Sequence, residues 1–444
     1  MLQQPVSRIV DLLDPALNRL DNMDLTEARR RVRSGGPDEV RAIGGSFAIV
    51  ESEGRAVRMA RSLDRPLRYF LAKRHEGPAL YVADRIDTLH RALAADRLAG
   101  QFHPSYTRMV PAHYVVEIAL VGCPDPDPVY TRFFTPARAT LPATPAEIGR
   151  RYVQALSDEV VTWLRQIERQ PSESPAIGVA FSGGIDSGAV FLVIYHALVQ
   201  MGLSPSRLKA FVLNLGGGPD VAQARAFLET VGLSMFLEAI DASPTDLDID
   251  EAIRVIEDYK ALDVECAAMG LALCRGIRAR YPEWRHLADG DGGDENLKDY
   301  PLEANDELTI RSVIDNPLLY QEGWGVGRIK HSLTYSGGLS RSYARTYAPA
   351  RRYGFDGFSP FTRPSVIEVA EAIPFAALTE YDVAALYALK GEIVSLGVKA
   401  VTGMDMPVFP KRRFQHGAAP IELMRARLDG DEPRYRQAFQ RLYA

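Results

Sequence analysis

The chain has 444 residues, more than one ordinary hydrophobic core fills, so two domains are expected. Its 46% hydrophobic and 25% charged content is that of a water-soluble globular protein, and a net charge of -5 argues against a nucleic-acid partner that needs a basic face. Cys123, Cys266 and Cys274 form no Cys-x-x-Cys pair and read as reduced thiols; there is no basic-then-apolar leader and no apolar run of spanning length. The expected setting is the cytoplasm, with no membrane partner.

In chain order, residues 6–20 and 25–34 read as helices. Short strand-like runs follow at 46–51, 56–60, 68–72, 79–83 and 114–120, separated by turn residues as in antiparallel sheet. A proline-rich stretch, Cys123-Pro-Asp-Pro-Asp-Pro128 with Pro136 and Pro142, reads as an extended linker. From Thr144 the texture alternates: helix 147–169, strand 177–181, strand 208–215, helix 220–231, strand 286–288. Alternation of this kind implies a mostly parallel sheet with ligands at the carboxyl ends of its strands. From about Arg311 the chain looks largely helical. The fold class is therefore α/β, with a smaller, antiparallel β-rich domain at 1–135 ahead of a parallel-sheet domain with a helical end at 144–444.

The strand at 177–181 runs straight into Ser182-Gly-Gly-Ile-Asp-Ser187 and then into an apolar helix. Gly183 and Gly184 permit a sharp turn and close backbone approach, so that N–H groups converge on phosphate oxygens at the positive end of the helix. Ser182 and Ser187 can donate hydroxyls, and Asp186 can hold a magnesium ion that neutralises the phosphates. The loop is not a Walker loop. It resembles the pyrophosphate loop of the ATP pyrophosphatases, which cleave ATP between its α and β phosphates.

A second loop, Asp289-Gly-Asp-Gly-Gly-Asp-Glu295, sets four carboxylates among three glycines. They repel one another unless a cation or basic group sits among them. The two loops together resemble the paired signatures of the asparagine synthetase family. Phe211-Val-Leu-Asn-Leu215 with Asp220, Gly354-Phe-Asp-Gly-Phe-Ser-Pro-Phe361, Lys390-Gly-Glu-Ile and Met406-Pro-Val-Phe-Pro-Lys411-Arg-Arg-Phe414 are similar to further family segments, in family order. In the segment that ends at Phe361, Asp356 stands where the family has glutamate.

The resemblance implies ATP and Mg2+ as cofactors. It places Val179, Phe181, Ser182, Gly183, Gly184, Asp186, Ser187, Leu213 and Gly290 at the nucleotide, and Asp186 and Asp294 on magnesium. Lys390 and Lys411 then stabilise the departing pyrophosphate, and Asp291 with Asp356 deprotonates an amine. The implied reaction is activation of a small-molecule or peptide carboxylate as its acyl adenylate, followed by transfer to an amine or ammonia. Closure of a lactam or macrolactam within one substrate fits the same residues. Other readings are an ATP-dependent sulfurtransferase and a nucleotide-binding pseudoenzyme.

Gly44-Gly-Ser-Phe-Ala-Ile-Val50, the run from Ala60 to Phe70 and Tyr81-Val-Ala-Asp84 resemble the second half of the family's glutaminase domain. Position 2 is Leu2 rather than the family's nucleophilic cysteine, and the glutamine-binding Arg-Gly-Pro-Asp and Asn-Gly-Glu segments are absent. The first domain is therefore expected to be shortened and inactive as a glutaminase, with packing and homo-oligomer contacts as its remaining role.

Overall fold

The computed structural model describes residues 8–120, 127–169, 175–299, 302, 309–315, 338–409, 428 and 430–443, with the backbone alone at 338–344. All statements below concern these residues. They form two compact units: Met1–Thr135 with Gln437–Ala444, and Pro136–Gln321 with Gly337–Arg436.

The first unit contains β1 (Ile9–Asp11), β2 (Arg19–Leu20), α1 (Leu25–Ser34), α2 (Pro37–Arg41), β3 (Gly45–Ser46), β4 (Ala48–Glu53), β5 (Ala56–Arg61), β6 (Arg68–Ala72), β7 (Ala79–Ala83), α3 (Ile86–Ala95), β8 (Arg108–Met109), β9 (Tyr114–Ala119) and β10 (Val129–Arg132). Two four-stranded sheets, ordered β1-β7-β6-β8 and β10-β9-β5-β4, share one core that includes Val50, Met59, Tyr69, Val82 and Val116. The outer face of one sheet packs with Leu89 and Leu93 of α3; that of the other packs with Ala28 and Val32 of α1. The layers therefore run helix, sheet, sheet, helix.

Two expectations change here. The helix expected at 6–20 does not form over the described residues 8–20: β1 pairs in parallel with β7, and Asp14 caps a short 3-10 turn at Pro15–Leu17. Ile9 and Leu13 face the inter-sheet core while Val10 and Leu12 face the α3 side, a period of two. The proline-rich stretch is not linker throughout either, because β10 is an edge strand antiparallel to β9.

In the second unit the elements are α4 (Pro145–Glu168), β11 (Ile177–Ala180), α5 (Ile185–Gln200), β12 (Leu208–Asn214), α6 (Pro219–Thr230), β13 (Leu237–Asp241), α7 (Ile249–Ile256), α8 (Ala261–Arg280), β14 (His286–Ala288), α9 (Gly293–Asn296), α10 (Ile310–Asp315), α11 (Gly338–Arg352), β15 (Asp356–Phe358), α12 (Pro364–Glu371), α13 (Phe375–Thr379) and α14 (Val383–Thr402). Five strands form an all-parallel sheet in the order β13-β12-β11-β14-β15. From β11 the chain adds β12 and β13 on one edge, then β14 and β15 on the other. The crevice at the carboxyl ends of β11 and β14 is thus the switch point where ligands settle in such sheets.

Helices α4 and α14 meet with almost no side chain between them. A Cβ on Gly149 would collide with the Ile393 carbonyl, and one on Gly397 would collide with the Gly149 carbonyl. That contact fixes the height of α14 against the core. No helix is long and apolar enough to cross a membrane.

Candidate active site

The glycine-serine loop leaves β11 with the Phe181 N–H donating to the Phe211 carbonyl (2.8 Å). Gly183 turns at φ +72°, and its Cα lies so near α6 that a Cβ would come within 2.8 Å of the Ala224 backbone. The loop closes on itself: the Ser182 N–H donates to the Ser187 hydroxyl (3.2 Å), and the Gly184 N–H donates to the Ser182 hydroxyl (3.3 Å). Gly184 opens the 16-residue α5 without a side-chain cap. The first N–H groups of that helix and the two hydroxyls are what an anion would meet.

The acidic loop leaves β14 directly beside it. The Asp289 N–H donates to the Phe358 carbonyl (3.1 Å), and the Asp289 carboxylate accepts from the Ser359 hydroxyl (2.6 Å) and the Asp291 N–H (3.0 Å). Glycine is required where the loops touch. A Cβ on Gly290 would lie 2.7 Å from the Ser187 nitrogen, and one on Gly293 would run into the Asp186 carboxyl group.

Lys390 joins the two loops from α14. Its ammonium, 2% exposed, donates to Asp186 (2.6 Å) and to Asp294, and lies 3.4 Å from Asp299. Burial works against its charge, but the three carboxylates outweigh burial and hold the ammonium well above the usual lysine range.

Around Asp291 the field is different. Burial first, then the Asp289 charge, pushes the Asp291 carboxyl well above the ordinary carboxylate range, while a hydrogen bond from Thr346 and the Arg345 charge oppose this. Burial likewise raises Asp289 and Glu295 to about 7. Arg345 is anchored through Nε to the buried Asp263 (2.7 Å). Its charge acts on Glu295 as well as Asp291.

The expected site residues fall in three groups. Ser182, Gly183, Gly184, Asp186, Ser187, Gly290, Asp294 and Lys390 come together, with Asp291 on the same loop. Val179, Phe181 and Leu213 put their side chains into the core. Val179 is moreover inside a strand paired on both edges, so it supports the loop and offers a ligand no free edge. Asp356 lies not on the loops but at the start of β15, level with His286, whose Nδ1 is 4.0 Å from its carboxylate. The parallel register puts that position at the amino end of the strand, whereas Asp291 follows the carboxyl end of β14. Lys411 lies outside the described residues.

Sequence reasoning missed Asp299, Asp263, Arg345, Thr346 and Ser359. Ser359 lies inside the Gly354–Phe361 segment without being singled out there, and the other four belong to no local pattern; each acts through a partner distant in the chain.

An ion could sit on this pair of loops. Asp186 and Asp294 reach a common ammonium, so their carboxylates are close enough to face one further cation, and two carboxylates plus substrate phosphates are an ordinary donor set for magnesium. Among the described residues no group of three or more His, Cys, Asp or Glu side chains forms an all-protein cage.

Residues 164–354 match the family model described as asparagine synthase; a search of curated proteins finds no match. The matched region starts within α4 and includes both loops and Arg345. The chain thus carries, over residues 164–354, a domain that belongs to the asparagine synthase family.

Proposed function

We propose that this protein activates a carboxylate as its acyl adenylate, releasing pyrophosphate, and passes the acyl group to an amine or ammonia. Domains of this family are ATP-dependent synthetases that form amide bonds. What supports the finer reading is one observation: the glycine-serine loop and the acidic loop touch at a topological switch point, with Lys390 reaching both.

In this reading the α5 amino terminus, Ser182 and Ser187 hold the polyphosphate, and Asp186 and Asp294 hold Mg2+. The metal, when bound, offsets phosphate charge. Lys390, already charged and buried, adds a preorganised cation near the departing pyrophosphate. Asp291 receives the amine. A carboxyl held above its usual range is a stronger base towards an ammonium than an ordinary aspartate, and the Thr346 hydroxyl orients it. Asp356 keeps a place in this scheme only if its carboxylate reaches the amine from the far end of β15.

The test is ATP–pyrophosphate exchange over a panel of carboxylic acids, with nucleotide products separated by chromatography. Acid-dependent exchange and AMP as the product are expected; stoichiometric ADP would remove the assignment. Asp291→Asn should keep exchange and lose amide formation by about 10²–10⁴-fold. Asp356→Ala should lower amide formation only if the family pairing survives the placement seen here.

A further inference from the structure

We infer that Gln223, on α6, is a positioning residue for the glycine-serine loop: its amide holds the Ser182 carbonyl towards α6 and so keeps the Gly183 N–H turned outward as a donor for an anion. The inference rests on the reading that Ser182–Ser187 receives the polyphosphate.

The loop's own hydrogen bonds make that one donor matter. Three N–H groups, at residues 182–184, precede α5. That of Ser182 goes to the Ser187 hydroxyl (3.2 Å), and that of Gly184 goes to the Ser182 hydroxyl (3.3 Å). Among the described residues the Gly183 N–H donates to no protein group. It is therefore the one N–H of the three that the loop keeps for a ligand, and its direction decides whether this turn attracts or repels a phosphate oxygen.

That direction follows from the carbonyl in the same peptide. In a planar trans peptide the C=O and the N–H point opposite ways. The Ser182 carbonyl accepts from Gln223 Nε2 (3.4 Å), so the Gly183 N–H points away from α6. Gly183 does not enforce this by itself. It sits at φ +72°, and glycine takes positive and negative φ about equally well, so its backbone leaves the peptide able to turn over. A turned peptide would aim the carbonyl oxygen where the N–H now points, and two oxygens would then face each other across the anion site. The Gln223 amide opposes that turn.

Gln223 is presented from a fixed place. A Cβ on Gly183 would lie 2.8 Å from the Ala224 backbone and 2.9 Å from the Gln223 carbonyl carbon, so loop and helix already touch there. The approach to α6 is pinned by Asn214 at the end of β12, which accepts from the Gly217 N–H (3.0 Å) and donates to Asp241 (2.7 Å). Further along, a Cβ on Gly188 of α5 would collide with the Phe227 ring of α6. The helix that carries the amide and the helix that follows the loop are thus locked together.

The experiment measures binding of two probes, inorganic pyrophosphate and α,β-methylene-ATP, each with Mg2+, to the full chain by titration calorimetry. Gln223→Met keeps most of the side-chain volume and cannot donate; Gln223→Ala loses volume and donor together. Both variants should bind each probe about fivefold more weakly than the parent, the loss expected for one hydrogen bond. Thermal melts matching the parent identify the folded variants, and Gln223→Leu, which also lacks a donor, replaces Gln223→Met if the latter melts lower. Equal weakening in Met and Ala supports the donor role. A loss of less than about threefold in the Met variant, whatever Ala does, assigns Gln223 to packing and overturns the inference. A parent that binds neither probe removes the phosphate reading of the loop, and this inference with it.

Discussion

Asp258 shows how the acidic region is maintained residue by residue. It is 1% exposed, and its Oδ1 accepts from the N–H groups of Tyr259 (2.6 Å) and Lys260 (2.9 Å). Burial, then the charge of Asp263, raises it from 3.8 to about 7. A carboxyl that holds its proton more tightly folded than unfolded favours the fold at low pH. That advantage is lost as pH rises from the unfolded value through the folded one, and above it the charged carboxylate counts against the fold. Asp258→Asn keeps the Oδ1 acceptor and removes the charge. It should therefore stabilise the protein by about 2–4 kcal/mol near pH 8, with the gain shrinking towards zero near pH 4. Urea unfolding at both values checks this; equal gains at the two would mean that Asp258 does not titrate in that window. No sequence pattern marks Asp258 or Asp299, because what sets them apart is the loss of water and, for Asp299, the distant Lys390. The glycines were easier to read. Gly183 and Gly290 sit inside recognisable motifs, and in the structure each is required by close packing against protein backbone, Gly183 against Ala224 and Gly290 against Ser187.

At the scale of elements, legibility followed periodicity. The helix at 147–169, the strands at 177–181 and 208–215, and the helix at 220–231 were foreseen within two residues of their observed ends, because long apolar patterns and glycine-rich turns bound them. The three residues of β1 were not, since their alternation is too short to separate from one helical turn. Also illegible was β13, in which only Ile240 is buried while Leu237, Glu238 and Ala239 are half-buried and Asp241 is exposed. The register of β15 lies beyond local sequence as well, and it is what moved Asp356 away from the acidic loop. The α4–α14 contact leads to a prediction at this scale. Gly397→Ala adds one methyl where the Gly149 carbonyl already sits, so α14 must shift, at a cost of about 1–3 kcal/mol. Because Lys390 rides on the same helix, ATP–pyrophosphate exchange should fall more than the melting temperature alone explains. A variant that melts lower but exchanges normally would show that α14 absorbs the strain before it reaches Lys390.

For the whole molecule, the first unit is a layered domain whose sequence carries one cysteine, Cys123, in residues 1–135. We expect no release of glutamate from glutamine by the purified protein, with or without ATP. Glutamate above a blank in an enzymatic assay would overturn this and return nitrogen supply to the first unit. The second unit has a different global property. Lys390 is 204 residues from Asp186 and 96 from Asp294, so the site is among the longest-range contacts the chain makes. Contacts of that span cost loop-closure entropy before they return any gain, and they form late. During synthesis the glycine-serine loop and then the acidic loop leave the ribosome before the ammonium that joins them in the folded chain. A nascent chain that stops short of α14 therefore has both loops of the candidate site and lacks the lysine that joins them. On the function proposed above, competence to retain ATP arrives only once α14 has been made.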